Sequence, residues 1–401
     1  MTQEWDSNTT NTSKKINWRR KKLRKNISFQ PPEGPKVNIN ENLIIDTLHL
    51  TISTPMVGGG VVEGKVDLNQ PVRVSSVRGN LRYWWRMMNQ DRLNDEAKIW
   101  GSTKSQSKII VEIEEFSPVH LLKHSESFGF KRYGTELYAL FAAATNGDDI
   151  AQEGLKFTLR LTYPKDFQED VRLTVSAWVY FGGIGARTRR GCGTLECAEK
   201  EKLFSVNEVL KSASNITLWR KQTKPSAMSS WRESLELYRR YRQARNPGNG
   251  TKPGRSKWPE PDSIRQITGD SDPRHSTPIT SPLPSFPRAA LGLPIIFQFV
   301  GRGEPKDVKI KPKISNRMSS PVITKALYDN GAWYSAVIIL PHEHVFNAEL
   351  ETDIKNKTVN IPELRGERYQ TVEPMRGQND AIAGFEAFIS KNDFKKEEIK
   401  S

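Results

Sequence analysis

Gly183-Ile184-Gly185-Ala186-Arg187-Thr188-Arg189-Arg190-Gly191-Cys192-Gly193 is the stretch on which the reading of the whole chain turns: two Gly-x-Gly pairs flank five residues, three of them arginine. Glycine lets a backbone come close to a ligand, and guanidinium groups grip phosphate, so the loop is expected to face an anion. It lacks the Gly-Lys-Ser/Thr ending of a phosphate-binding P-loop, and Thr188 stands where G-x-G-x-x-G would need its third glycine. No nucleotide cofactor is therefore expected. The competing reading is a glycine-rich turn packed tightly against its own sheet.

Around this loop the chain is basic, with 61 Lys and Arg against 46 Asp and Glu, a formal net charge of +15. Such an excess favours a polyanionic partner, nucleic acid before an anionic membrane surface. No apolar stretch approaches the ~20 residues that span a bilayer, and the N-terminus lacks the apolar core of a signal peptide. A cytoplasmic protein is expected. Its two cysteines, Cys192 and Cys197, are too few for a disulfide framework and lack partners at zinc spacing.

Residues 1–40 read as a disordered basic arm, with Trp18 set among lysines and arginines. From Leu43 the pattern turns to strands and helices: a strand to Thr54, a helix from Val77 to Met88 capped by Ser75 or Ser76, strands at Ile109–Ile113 and Leu155–Leu161, a helix at Val171–Phe181 and a strand at Gly193–Cys197. That order, strand, helix, strand, strand, helix, strand, is the βαββαβ series of a ferredoxin-like domain over 41–200. A helical, loop-rich connector is expected over 201–285. A second α+β domain follows over 286–390, taking in parts of the connector, and 391–401 reads as a charged tail.

On the predicted helix, Val77, Leu81, Trp84, Trp85 and Met88 share one face, while Arg78, Arg82 and Arg86, four apart, form a stripe beside it. The stripe reads as a phosphate-binding surface or as an ordinary solvated face. Catalytic candidates are few. His49 in the first strand could act as a general base on an RNA 2′-hydroxyl, although a satisfied strand histidine is the commoner case. His342 and His344 lack a third ligand nearby, and no metal site is expected.

The loop, with Gly183-Ile184-Gly185 and Gly191-Cys192-Gly193 five residues apart, resembles the signature glycine-rich loop of the RAMP superfamily of CRISPR RNA-binding proteins. Val74 to Arg86 (VSSVRGNLRYWWR), Trp100-Gly101-Ser102, Lys257-Trp258-Pro259-Glu260, Arg288 to Pro294 (RAALGLP) and Arg317 to Pro321 (RMSSP) resemble, more specifically, the first-subunit family of type III-B Cmr complexes. This resemblance implies two ferredoxin-like RAMP domains and a non-catalytic subunit of a ribonucleoprotein, near the 3′ end of the guide RNA and helping to capture target RNA beside other RAMP subunits. Arg78, Arg82, Arg86, Arg187, Arg189 and Arg190 are then expected to hold RNA phosphates, with Gly183, Gly185, Gly191 and Gly193 permitting close approach. Two alternatives share the fold: a metal-independent endoribonuclease acting on precursor guide RNA, and a purely structural adaptor. Trp100 and Cys192 depart from the usual phenylalanine and aromatic at their positions, and both remain apolar.

Overall fold

Alternation of apolar side chains from Leu43 buries Leu48, Leu50 and Ile52 on one side of the first strand and leaves its other side open to solvent. The computed structural model describes residues 42–122, 135–213, 215–222, 226–248, 254–354 and 357–399; the basic arm expected over 1–40 lies outside them. Residues Asn42–Ser401 cluster as one unit.

The first half runs β1 (Leu43–Ile52), α1 (Val74–Met88), α2 (Glu96–Trp100), β2 (Ile110–Glu114), α3 (Leu137–Asn146), β3 (Leu155–Pro164), α4 (Gln168–Phe181) and β4 (Leu195–Cys197). Its four strands lie in the order β2-β3-β1-β4, every neighbouring pair antiparallel. Helix α1 buries Val77, Leu81, Trp84, Trp85 and Met88, and Trp84 meets Phe181 of α4 with ring centroids 6.0 Å apart. Burying such aromatic surface is the largest local gain in apolar stabilisation. The helix starts at Val74, earlier than the serines suggested: Arg73 occupies the N-cap position without a side-chain cap. Val74 packs against the core, so its packing, rather than a serine cap, holds the first turn.

The second half contains β5 (Thr217–Gln222), α5 (Ala227–Arg242), α6 (Glu260–Thr268), β6 (Ile295–Phe297), β7 (Val308–Pro312), β8 (Val322–Asp329), β9 (Ala332–Ile339), β10 (Leu350–Ile354), β11 (Lys357–Asn360), α7 (Ala381–Ser390) and β12 (Lys395–Lys396). One sheet has the order β8-β9-β5-β12, again antiparallel throughout. Taken in chain order with α5 and α7, these strands repeat the sequence of elements of the first half, and in each sheet the second, third, first and fourth strands follow one another in space. Strands β6-β7-β10-β11 make a separate sheet within the insertions of this second series.

Details of the expected organisation are refined here. Within 201–285, expected as a helical, loop-rich connector with parts joining the second domain, β5 and α5 are the opening strand and first helix of the second series. Only one strand-like residue, Leu218, is deeply buried in β5, so its six residues carry little apolar signal. The loop-rich insertion consequently falls inside the second series, between α5 and β8. Residues 391–401 are not simply a tail: Lys395 and Lys396 pair with Arg220 and Trp219, anchored by the buried Phe394, and exposed lysines on an edge strand disguise that pairing.

The halves are joined by a buried amine. Lys325 of β8 is wholly buried and donates hydrogen bonds from Nζ to the carbonyls of Gly182 (2.7 Å) and Val179 (3.3 Å) at the C-terminus of α4, the negative end of that helix. Burial pushes its pKa down from 10.5 to about 7. The folded protein thus binds fewer protons at this site than the unfolded chain between about pH 7 and 10.5, and the linked stability rises with pH across that window. Thermal unfolding of the wild type and Lys325→Met, followed from pH 7 to 10, should show a rising component in the wild type that the variant lacks.

Candidate nucleic-acid interface

The glycine-rich loop lies where the two halves meet. Arg187 takes a left-handed backbone conformation at φ 60°, an arrangement costing about 1–2 kcal/mol for a side-chain-bearing residue. Gly191 is left-handed as well, at φ 75°, and a Cβ there would stand 2.5 Å from Trp231 of α5 and 2.6 Å from the carbonyl oxygen of Thr324 in β8. A Cβ on Gly193 would lie 1.9 Å from the Ile184 carbonyl oxygen, one on Gly185 2.7 Å from Met56, and one on Gly183 2.9 Å from the Gly193 carbonyl oxygen. The expected close approach is therefore real, but the surface approached is the protein itself. Trp231 seals the contact by donating from Nε1 to the Arg190 carbonyl at 2.6 Å.

The six predicted arginines separate into two groups. Arg82 and Arg86 of α1 both donate to the Glu96 carboxylate of α2, at 2.7 Å from Arg82 Nε and at 2.8 and 2.7 Å from Arg86. Hydrogen bonding from Arg86 and then Arg82, against the effect of burial, holds the Glu96 carboxyl below its ordinary range. Arg78 reaches the Ile109 carbonyl at 3.4 Å. The stripe is thus largely occupied in tying α1 to α2 and to the chain before β2.

The loop arginines have no carboxylate partner among the described residues. Arg187 Nη1 donates to the Ala139 carbonyl of α3 at 2.9 Å, and the residue is otherwise exposed. Arg189 donates to the Ser320 carbonyl (2.6 Å) and the Tyr83 hydroxyl (3.2 Å), and Arg190 to the Val322 carbonyl (2.9 Å) and the Tyr238 hydroxyl (2.8 Å). Carbonyls and hydroxyls orient these guanidiniums without cancelling their charge. Burial alone would raise the Tyr238 pKa, yet the nearby guanidiniums of Arg190 and Arg242 outweigh it and bring it below the ordinary tyrosine value.

These residues line a groove of about 1080 Å³. One wall is Arg187, Arg189 and Arg190 with the glycine run after β1; the other is Leu291 to Pro294 with Arg317 to Ser320; Arg242 of α5 closes the floor. Five arginines face two carboxylates, Glu63 and Asp148, across that space. Sequence reading missed Arg242 and gave Arg317 no role. The signal lay in the RAALGLP and RMSSP segments, whose separation along the chain hid that Leu293 and Met318 exchange backbone hydrogen bonds at 2.8 and 3.2 Å.

The remaining candidates lie elsewhere. The Glu199 carboxylate accepts from the His49 ring at Nδ1 and from the His49 backbone N–H at 2.7 Å, and neither residue lines the groove. His342 Nδ1 contacts the Leu340 carbonyl at 2.9 Å. Cys192 and Cys197 are free and buried, and burial pushes both thiols up to about 12.

Two pairs of substitutions separate structural from solvent-facing roles. Gly191→Ala should cost ~3 kcal/mol or more, since Trp231 and the Thr324 backbone must both move, whereas Gly269→Ala, left-handed at φ 70° but facing open space, should cost about 1–2 kcal/mol. Chemical denaturation measures both. Arg190→Met should destabilise by ~2 kcal/mol through removal of charged hydrogen bonds to β8 and α5, while Arg187→Met leaves the unfolding midpoint nearly unchanged.

Residues 49–196, which hold β1 to β4 and the loop, match the RAMP superfamily. A 138-residue stretch is 27% identical to the CRISPR system Cmr subunit Cmr1-1 of Pyrococcus furiosus, covering 31% of this chain and 40% of that protein, so the alignment spans less than half of the relative's length. The crystal structure of Cmr1 from Pyrococcus furiosus in its apo form has a similar fold, with a TM-score of 0.51 at 17% identity over 88% of this chain and 98% of that one. A chain of a cryo-EM structure of type III-B Cmr-beta bound to cognate target RNA and AMPPnP, in the presence of ssDNA, aligns at a TM-score of 0.40 and 10% identity over 88% of this chain and all (100%) of that one. No helix among the described residues is long and apolar enough to cross a membrane. The signature loop and its flanking elements thus lie in a region, residues 49–196, that matches the RAMP superfamily, and the chain is similar to the Cmr1 subunit of Pyrococcus furiosus in part of its sequence and in fold.

Proposed function

We propose that this protein is the RNA-binding first subunit of a type III-B CRISPR effector complex, acting in the cytoplasm without catalysing a reaction of its own. It contacts the guide RNA near its 3′ end, helps capture target RNA for antiviral defence and docks on other RAMP subunits. Each βαββαβ series is read as one ferredoxin-like RAMP domain, and the groove between them as the RNA site. The observation that carries this reading is the convergence of three separate motifs, the glycine-rich loop, RAALGLP and RMSSP, on one groove whose arginines have no carboxylate partner among the described residues. A buried or half-buried cation without a counter-charge is costly, and a phosphate oxygen supplies one. Guide-target pairing reads sequence, so the protein needs only to hold backbone and shape.

The test uses the two groove arginines that are exposed and carry the least structural duty, Arg187 and Arg317. Arg187→Glu/Arg317→Glu should keep the wild-type circular dichroism spectrum, weaken guide-RNA binding and flatten its salt dependence by roughly 0.7 in logarithmic slope for each single-strand phosphate no longer neutralised. A folded double variant with wild-type affinity and slope would rule out the groove as the RNA site.

A further inference from the structure

We propose that the RNA path continues beyond the groove, across the C-terminal half of α5, into a second basic pocket that holds the backbone of single-stranded RNA; this rests on the reading of the groove given above. Three cavities follow one another along that surface and share walls. Tyr138 and Arg187 border both the groove and a middle hollow of about 570 Å³. Arg239 and Gln243 in turn border both that hollow and the second pocket, of about 680 Å³. A chain leaving the groove past Arg187 therefore meets two further adjoining hollows, and this run of cavities is the channel proposed for it.

The chemistry of the far pocket matches a polyanion better than a neutral ligand. Five cations, Arg239, Arg240, Arg245, Lys257 and Arg376, line it against one carboxylate, Glu373. Lys257 is paired with Glu373, and Arg239 with Glu236 at 2.7 Å. Arg240, Arg245 and Arg376 are exposed and have no carboxylate partner among the described residues; Arg240 reaches only the Asn392 side chain, at 3.5 Å. The guanidiniums of Arg240 and Arg376 stand 5.6 and 4.9 Å from the centroid of the Phe388 ring, which fixes two charges beside one apolar surface. Arg376 also holds a left-handed conformation at φ 55°, a backbone strain of about 1–3 kcal/mol that places its side chain here.

Aromatic side chains accompany the cations at the middle hollow. Phe141 on the middle hollow is 64% exposed, an unusual position for so large an apolar side chain, and Tyr138 lies beside it. An exposed ring lining the same hollow as an arginine without a carboxylate partner among the described residues, as Phe141 and Arg187 do, suits single-stranded nucleic acid, since a base stacks on the ring while a phosphate meets the guanidinium. An acidic protein surface would use the cations but leave Phe141 and the channel unexplained.

The test compares Arg240→Gln/Arg376→Gln with the groove variant in the full chain, using single-stranded oligoribonucleotides of graded length. The pocket variant should bind the shortest RNAs like the wild type but forfeit the gain in affinity that comes with length, with roughly tenfold weaker binding of the longest RNA and a salt slope lower by about 1.4 for two phosphates. Phe141→Ala should give part of the same length-dependent weakening without changing the slope. Wild-type affinity and slope of the pocket variant on every length would overturn the proposal, and if the groove variant still weakened binding, the groove reading would stand. Unchanged RNA binding by the pocket variant together with failure to assemble with partner subunits would instead assign this pocket to an acidic protein surface, and would equally overturn it.

Discussion

The contact between Gly191 and Trp231 is the constraint on which the rest of the arrangement depends. A tryptophan from the first helix of the second series lies against a position that only a hydrogen can occupy, and its indole N–H takes up the neighbouring backbone carbonyl. That contact brings the loop arginines to β8 and α5, brings Lys325 to the end of α4, and leaves the groove open at the rim of the seam. The glycines serve the junction and the arginines serve both junction and solvent, so one short loop fixes the geometry of a site built from both halves.

Charge compensation separates arginines that look alike in the sequence. Arg82 and Arg86 share Glu96, and that pair is a tie between helices. Arg189 and Arg190 are held just as firmly, but by carbonyls and hydroxyls, which set direction and leave the field intact. Preorganised, uncompensated guanidiniums suit an anion that arrives later, because little side-chain entropy is lost when it binds.

Much of the first half was legible because its signals are local. The five buried residues of α1 follow the helical period, and β1 to β4 are bounded by glycine, proline and polar residues. The second half was less so. Strand β5 has too few apolar residues to stand out between helices, and β12 consists of two lysines whose pairing is a backbone matter. The long insertions between α5 and β8, and between β9 and α7, separate elements that belong to one sheet. At the site, the loop was readable as basic and glycine-rich, but its arginines bond residues distant in sequence, Ala139 for Arg187 and, more than a hundred positions away, Ser320 for Arg189 and Val322 for Arg190.

The two sheets also differ in when they can close. All four strands of the first lie between Leu43 and Cys197, so a ribosome delivers them together and that sheet can complete itself early. Strand β5 emerges soon afterwards, but its neighbour β9 comes only after the first insertion and its other neighbour β12 only after the second. During that interval β5 has two unpaired edges, the condition under which strands find wrong partners. Its composition, Thr217-Leu-Trp-Arg-Lys-Gln222, answers this hazard: two cations and few apolar groups make it a poor seed for aggregation while it waits. The weakness that hid β5 from sequence reading is thus what protects the nascent chain.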